Sequence, residues 1–159
     1  MRIACSTRVK PIDENTPHVA LREGEVKFDP DILRELLLYI EEHATEVWSD
    51  LDEIALEDRT AKEVTYHVEK AAEAGLLNAT IDRLPDDTNP DIVHTAYSVH
   101  SIHFNGHEVL SAVRDPKHLR AIKDAAAKAG ATTADAFYKF ALAFVLAKVN
   151  AYIATKPWG

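Results

Sequence analysis

Segments with the three- and four-residue spacing of amphipathic helices alternate along the chain with segments that have the two-residue spacing of strands. The first helical pattern follows Asp29 and Pro30, which suit the N-cap and the first turn of a helix. Its apolar positions share one face: Ile32, Leu33, Leu36, Leu37 and Ile40. This pattern predicts a first helix that ends near Ala44.

A second helix is marked at both of its ends. Thr60 and Glu63 have the spacing of a capping box, and Gly75 is a natural residue just after a helix C-terminus. The predicted buried stripe consists of Val64, Val68, Ala71 and Ala72. The outward face of this predicted helix, which spans Lys62 to Ala74, carries Lys62, Glu63, Thr65, Tyr66 and Lys70.

The segment between these two helices is short and less regular. Ser49 and Asp52 resemble a capping box, and Leu51, Ile54 and Ala55 give the segment one apolar edge. We therefore expect a two-turn helix over residues 49–56. A strand through residues 47–48 is the alternative, because this stretch contains Val47 and Trp48.

A β-hairpin is predicted after Gly75. Residues 76–81 form its first strand, residues 82–90 an acidic loop with two prolines, and residues 92–104 the returning strand. In the returning strand, Tyr97 and Val99 share one face, whereas Ile102 and Phe104 fit that face only after a slip of one residue. A β-bulge near His100 would reconcile the two halves of the strand.

Three helices are predicted after the hairpin. The first is capped by residues 105–108 and buries Val109, Leu110 and Val113. The second begins at Pro116, buries Leu119, Ile122 and Ala126, and ends at Gly130. The last is capped by Thr133 and runs to about Ala154.

The chain divides into an appended segment, a core and a helical extension. Residues 1–27 alternate apolar and polar side chains before two prolines, so they form either an edge strand or a poorly ordered segment. We place the core at residues 28–113 and a C-terminal helical extension at residues 114–159. A chain of 159 residues has the size of one domain.

Composition excludes several classes of protein. The single cysteine, Cys5, excludes a disulfide framework and a cysteine-based zinc finger. The longest apolar run, residues 140–147, is much shorter than the roughly 18 to 20 residues that span a bilayer. No apolar stretch follows Arg2, so we expect no secretory signal, no membrane partner and a cytoplasmic location. The common nucleotide-binding and hydrolase motifs are missing from the sequence, which predicts neither an enzyme nor a cofactor.

Charge is unevenly distributed along an acidic chain with a formal net charge of −8. Residues 11–58 carry fifteen acidic and three basic residues, whereas residues 112–159 carry three acidic and eight basic residues. Net negative charge weakens the case for non-specific nucleic-acid binding, because contacts with phosphates supply most of that affinity. It leaves open a local basic surface.

The predicted order of helix, short helix, capped helix, strand, loop, strand and helix is the order of a winged helix-turn-helix domain. The piece Val64–Leu77 resembles the recognition helix and first wing strand of winged-helix regulators, and Ile102–Leu110 resembles their second wing strand leading into a helix. The expected fold class is therefore α+β and mainly helical, with a winged-helix core, a two-stranded wing and a C-terminal helical extension.

The same pieces are similar to an uncharacterised family of phage and prophage proteins. This resemblance is centred on Val64–Val68, Glu73–Leu77 and Gly106–Asp115, and it extends from about Ile32 to Val149. It implies a winged-helix-like core, a helical tail and residence on mobile genetic elements, and it implies no catalytic residues. The N-terminal segment and the acidic loop depart from the family pattern.

Two kinds of partner fit the outward face of the second helix. In a DNA groove, Lys62, Thr65, Tyr66 and Lys70 would contact bases and phosphates, and Glu63 could accept a hydrogen bond from cytosine. The leading prediction is accordingly a non-enzymatic regulator that binds DNA through this helix. The alternative is a protein-binding modulator of a host factor, which would use the acidic surface to bind a basic partner.

Four of the eight histidines lie close together in sequence, which raises the question of a zinc site. They are His94, His100, His103 and His107. On a regular strand His100 and His103 point to opposite faces, and the chain has neither a second cysteine nor an HExxH motif. We expect these histidines to pack on the wing or to face solvent, and we predict no metal site.

The last helix is apolar around most of its circumference. Such a helix must be covered on more than one side, either by two helices of the same chain or by a second subunit. We predict a homodimer, because the core of a domain of this size is small for the first solution. The predicted dimer interface consists of Phe137, Phe140, Phe144, Leu146 and Val149.

Overall fold

A computed structural model describes residues 26–44 and 50–156 as an α+β fold that is mainly helical, with a two-stranded antiparallel sheet. Within these residues the elements are α1 (Pro30–His43), α2 (Ala61–Glu73), β1 (Leu77–Pro85), β2 (Val93–Ile102), α3 (Phe104–Val113), α4 (Pro116–Lys128) and α5 (Ala134–Thr155). Most of the predicted N-terminal segment and residues 47–49 lie outside the described residues.

The predicted helix caps are confirmed for α1, α2 and α5. The Asp29 carboxylate accepts a hydrogen bond of 2.8 Å from the backbone N–H of Asp31 at the start of α1. Thr60 and Glu63 form a reciprocal capping box, and Thr133 accepts a bond from the N–H of Ala136. These caps satisfy backbone donors that the first turn of a helix leaves without intrahelical partners.

The predicted two-turn helix over residues 49–56 is wrong for the described part of that segment, which has a β-bridge at Leu51, a bend at Asp52 and irregular backbone up to Leu56. The backbone of Leu51 exchanges two hydrogen bonds with Val99 of β2, at 2.9 and 3.0 Å. The side chain of Asp52 accepts a bond of 2.6 Å from Ser98 on the same strand. Pairing with β2 therefore takes the backbone groups that a helix would have used.

The hairpin is longer than the sequence predicts, because β1 continues to Pro85 through residues that we expected to be loop. Asn78 pairs with Ser101 and Ala79 pairs with Val99, so His100 is the extra residue on β2. The predicted bulge is therefore confirmed at its predicted position. It lets Ile102 share the inner side of the strand with Tyr97 and Val99 despite the change of phase. The expectation for Phe104 is wrong, because Phe104 is the first residue of α3 and is 71% exposed.

Helix α3 begins two residues earlier than a cap at Asn105 would place it, and the predicted cap by residues 105–108 is wrong. His103 is the N-cap residue and makes no side-chain capping bond, while its backbone N–H donates to the carbonyl of Leu76 at 2.9 Å. A Cβ atom added to Gly106 would lie 2.1 Å from the Leu76 oxygen. Only glycine allows α3 to approach the start of β1 this closely.

One core joins α1, α2, the sheet, α3, α4 and the first half of α5. Its fully buried side chains include Leu33, Leu36, Leu37, Ile40, Val68, Leu76, Val99 and Phe137. The predicted C-terminal extension contributes Leu119 and Ile122 of α4 to the same cluster. By length and composition alone α5 would pass as a membrane-spanning helix, but its first half packs against α3 and α4.

Candidate functional site: the surface between α2 and the hairpin

Helix α2 presents the five residues predicted to contact DNA or a protein on its outer side. Lys62 is exposed, and Glu63, Thr65, Tyr66 and Lys70 are half-buried. The opposite side of α2 buries Val64, Val68 and Ala71 in the core, as the apolar stripe predicted. On the outer side, Thr65 borders the space next to the hairpin, whereas Tyr66 and Lys70 lie toward residues 132–135 around the start of α5.

Glu63 is occupied by the capping box rather than free for a partner. Its Oε2 atom accepts hydrogen bonds of 2.8 Å from both the backbone N–H and the hydroxyl group of Thr60. These bonds stabilise the ionised form and lower the pKa of Glu63. The structure therefore places Glu63 at the cap of α2, where a bond to cytosine would have to compete with the cap.

The cations of this face are mostly bound to neighbouring carboxylates. The Lys70 ammonium lies 2.7 Å from Glu73 and 5.8 Å from the centroid of the Tyr66 ring. On β1, the Arg83 guanidinium forms an ion pair with Glu69 of α2, which ties the hairpin to the helix. The carboxylates of Glu73 and Glu69 raise the pKa of Lys70 and Arg83 respectively. Lys62 is the one cation of this face for which the described residues provide no ion-pair partner.

An open concavity of about 710 Å³ lies between the N-terminal half of α2, the hairpin and residues 52–59. Its acidic lining residues are Asp52, Glu53 and Asp82, and all three are exposed. Its floor is apolar and includes Ile54 and Val64. We call this feature the acidic concavity.

Arg59 is the cation that lines the acidic concavity, and its charge is already neutralised. Its Nε and Nη2 atoms donate to the two carboxylate oxygens of Glu35 at 3.0 and 2.9 Å. This two-pronged bond raises the pKa of Arg59 well above its usual value. Glu53 and Asp82 have no cationic partner among the described residues, so the concavity has a net negative charge.

The histidines of the hairpin are engaged in separate contacts. His94 bonds to Asp86 at 2.9 Å, whereas His100 bonds to Asp50 at 2.7 Å and to Thr80 at 2.9 Å. The bonds that Asp86 accepts from Thr88 and His94 hold the pKa of its carboxyl group well below the usual range. Within the described ranges no group of three or more histidine, cysteine or carboxylate side chains could hold a metal ion.

His67 is a buried residue of α2 that the predicted buried stripe does not include. It is fully buried, its Nδ1 atom lies 2.7 Å from the carbonyl of Glu63, and its Nε2 atom accepts from the backbone N–H of Asp29 at 2.8 Å. These partners assign a neutral ring with the proton on Nδ1. Burial lowers the pKa of His67. The signal was present in the sequence, since His67 follows Val64 by three residues on the buried stripe.

The five residues predicted for a dimer interface lie in different environments. Phe137 is only 1% exposed and packs on Phe28, with 5.9 Å between the ring centroids. Phe140 and Phe144 are half-buried. Leu146 and Val149 are 54% and 48% exposed, so they belong to the part of α5 that the rest of the described chain leaves open.

The family model described as "Hypothetical protein (DUF2513)" matches residues 27–132 of this chain. The match covers well over half of the chain and contains α1, α2, the hairpin, α3 and α4. Comparisons with curated proteins and with solved structures gave no match.

Proposed function

The chain belongs to the DUF2513 family, a family of unknown function, and from this premise we propose that it is a non-enzymatic winged-helix module that binds a basic segment of another protein. The binding surface is the acidic concavity beside α2. In the setting of a phage or prophage, which the sequence resemblance suggests, the partner is a host protein. The module then acts as a modulator of that protein.

The winged-helix part of the proposal is supported by the way in which α2 and the hairpin are joined. Gly75, with φ +70°, turns the chain directly from the end of α2 into β1, and Arg83 of β1 bonds back to Glu69 of α2. A helix face and a two-stranded wing are therefore presented side by side, as in winged-helix proteins, although residues 50–56 form no short helix before α2.

The single observation that carries the choice of partner is the charge of the acidic concavity. Glu53 and Asp82 are exposed without a cationic partner among the described residues, and Arg59 is held by Glu35. A phosphate backbone would meet these carboxylates and be repelled. Lysine or arginine side chains of a protein segment would instead be attracted, and the apolar floor can bury their aliphatic parts.

The test uses a fluorescently labelled deca-arginine peptide as the probe, in fluorescence anisotropy at about 0.15 M salt. We expect the double variant Glu53→Gln, Asp82→Asn to weaken binding at least about tenfold, because it removes both unpaired charges of the concavity. The matched control is Glu42→Gln, Asp124→Asn, which removes the same charge at two exposed positions elsewhere. Equal weakening in both variants would show that the peptide responds to net charge alone, and the proposed site would be wrong.

A second candidate function is DNA binding through the Lys62–Ala74 helix. Its supporting observation is that Lys62 is exposed and that Arg83 keeps 64% of its side chain in solvent. Exposed ion pairs contribute little free energy, so Lys70 and Arg83 can exchange a carboxylate for a phosphate at low cost.

Gel retardation at about 50 mM salt, with promoter DNA of the element that encodes the chain, separates the two candidates. If the chain binds DNA, a retarded band appears. The slope of log affinity against log salt concentration then falls by about 1 to 2 in the double variant Lys62→Ala, Lys70→Ala. The absence of any retarded band would eliminate this second candidate and leave the protein-binding proposal intact.

A further inference from the structure

Apart from Phe104, the large apolar side chains that face solvent are concentrated in two places within the described residues. The wing tip, defined as residues 84–93, carries Leu84, Ile92 and Val93. The α5 tail, defined as residues 146–156, carries Leu146, Val149, Tyr152 and Ile153. Clusters of this kind mark surfaces that are covered by a partner, since isolated exposed apolar residues are common but groups of them are not.

The wing tip has a defined shape and an acidic rim. The backbone N–H of Asp86 donates to the carbonyl of Ile92 at 2.8 Å, and the N–H of Ile92 donates to Asn89 at 2.9 Å. The exposed carboxylates of Asp87 and Asp91 lie in the same turn. Because the turn is ordered by its own hydrogen bonds, little conformational entropy is lost when it binds.

The α5 tail combines an apolar stripe with a basic rim. Leu142, Leu146, Val149 and Ile153 recur at intervals of four, three and four residues, so they lie along one side of the helix. From residue 136 to residue 156 the sequence has no acidic residue. Lys156 lies over the exposed Tyr152 ring near the end of the stripe, whereas Lys148 is exposed but contacts His118 of α4 and Phe144. The occupant of this stripe must therefore tolerate positive charge.

Pairing of two α5 helices along this stripe is disfavoured because it brings lysines of the two copies together. An antiparallel pair centred on Leu146 and Val149 places Lys139 of one copy, which is ion-paired with Asp135 of its own helix, opposite Lys156 of the other, at both ends of the contact. A parallel pair places each lysine opposite its own copy. Like charges in these positions oppose association, so the best occupant is apolar and acidic.

We propose that the wing tip of a second copy of this chain covers the α5 tail. Leu84 and Ile92 supply the apolar surface, and Asp87 and Asp91 supply carboxylates for the lysines of the tail. The contact made twice around a two-fold axis gives a closed homodimer and covers both exposed groups at once. The inference does not rest on the proposed function, because it leaves the acidic concavity unoccupied.

The first test is site-directed crosslinking in a Cys5→Ala background. Ile92→Cys and Val149→Cys are made as separate proteins, mixed in equal amounts and treated with a short bismaleimide. We expect the mixture to give much more covalent dimer on a non-reducing gel than either protein alone, because the contact joins unlike positions. Circular dichroism confirms that both variants are folded, as expected for substitutions of side chains that are about half exposed.

The second test is an exchange of charges, measured as mass by light scattering at micromolar concentration. Two double variants are made, Asp87→Lys with Asp91→Lys, and Lys148→Glu with Lys156→Glu. Each should shift the mass from that of a dimer, twice 17.7 kDa, toward that of a monomer, 17.7 kDa. In an equal mixture the dimer of unlike variants has two attractive contacts, one between the Lys wing tip and the Glu tail and one between the unmodified wing tip and the unmodified tail, so the mass should rise again. The control Lys117→Glu, Arg120→Glu makes the same change of charge on α4 and should leave the dimer intact.

Three results would each overturn the proposal. The first is a clean monomer of the unmodified protein with no crosslink in the mixture. The second is a Val149→Cys sample that crosslinks to itself as efficiently as the mixture, which would show an α5–α5 interface. The third is a monomer that cosediments with anionic vesicles through the α5 tail, which would show a lipid surface as the occupant.

Discussion

The Nε2 atom of His67 accepts a hydrogen bond of 2.8 Å from the backbone N–H of Asp29, across 38 positions of sequence. The same Asp29 caps α1 with its carboxylate, so one residue joins the first turn of α1 to the buried side of α2. The bond satisfies both a buried ring nitrogen and a backbone donor at the start of the helix. Phe28 packs beside it, 5.7 Å from the imidazole between ring centroids.

We expect the free energy of unfolding to fall as the pH is lowered below about 6.5, the usual pKa of histidine. Burial lowers the pKa of His67 in the folded chain, so the unfolded chain takes up the proton first. The stability that His67 contributes is therefore complete above pH 6.5 and is lost progressively as the pH falls toward the lower pKa of the folded state. Protonation would place a second donor opposite the N–H of Asp29.

Urea denaturation between about pH 8 and pH 5 measures this effect in the unmodified protein, in His67→Gln and in His107→Gln. His67→Gln should lose about 1 to 3 kcal/mol at high pH and should show a weaker dependence on pH. His107 is exposed, so its replacement should leave both quantities unchanged. Identical pH profiles for all three proteins would show that His67 is not the titrating group.

Local signals in the sequence were sufficient for most of the helices. Capping residues and apolar stripes are read from neighbours three or four positions apart, and the change of phase in β2 located the bulge at His100. The segment at residues 50–56 was different, because its structure depends on Leu51 pairing with a strand almost fifty residues later. No local pattern reports such a partner.

The candidate site was predicted only in outline. The outer face of α2 was predicted from the helical spacing of its apolar residues. The ion pair of Lys70 and the capping bonds of Glu63 depend on side-chain positions that this spacing does not report. The acidic concavity could not be predicted because it joins three separate segments of the chain. Asp52 and Asp82 are thirty residues apart in sequence and line the same space.

The contact between Gly106 and Leu76 predicts a strong effect of a small substitution. In Gly106→Ala the new methyl group would lie 2.1 Å from the carbonyl oxygen of Leu76, so α3 must move away from β1. We expect a loss of about 1 to 3 kcal/mol in the free energy of unfolding, which is typical of overpacking. Chemical denaturation measures it, with Ser111→Ala on the exposed side of α3 as the control. An unchanged midpoint for Gly106→Ala would mean that the two elements are less close than described.

The capping box of α2 predicts different outcomes for two substitutions at one position. Glu63→Gln keeps a side-chain acceptor for the N–H of Thr60, whereas Glu63→Ala removes it. We expect Glu63→Ala to lose about 1 kcal/mol of stability and Glu63→Gln to lose clearly less. Thermal unfolding by circular dichroism distinguishes them. If the two variants were equally destabilised, the charge of Glu63 rather than its capping bond would be the stabilising feature.

Phe137 and Leu146 both lie on α5, and they distinguish a position in the core from a position in the proposed interface. Phe137 is 1% exposed and packs on Phe28, so Phe137→Asp buries a charge without a partner and should unfold the protein. Leu146 is 54% exposed, so Leu146→Asp should leave the fold intact and shift the protein from dimer to monomer. Circular dichroism follows the fold and light scattering follows the mass. Each large apolar side chain covered by a partner contributes about 1.5 to 3 kcal/mol, so replacing one by a charge is enough to dissociate a micromolar dimer. A folded Leu146→Asp protein that kept the mass of a dimer would place the subunit interface elsewhere on the chain.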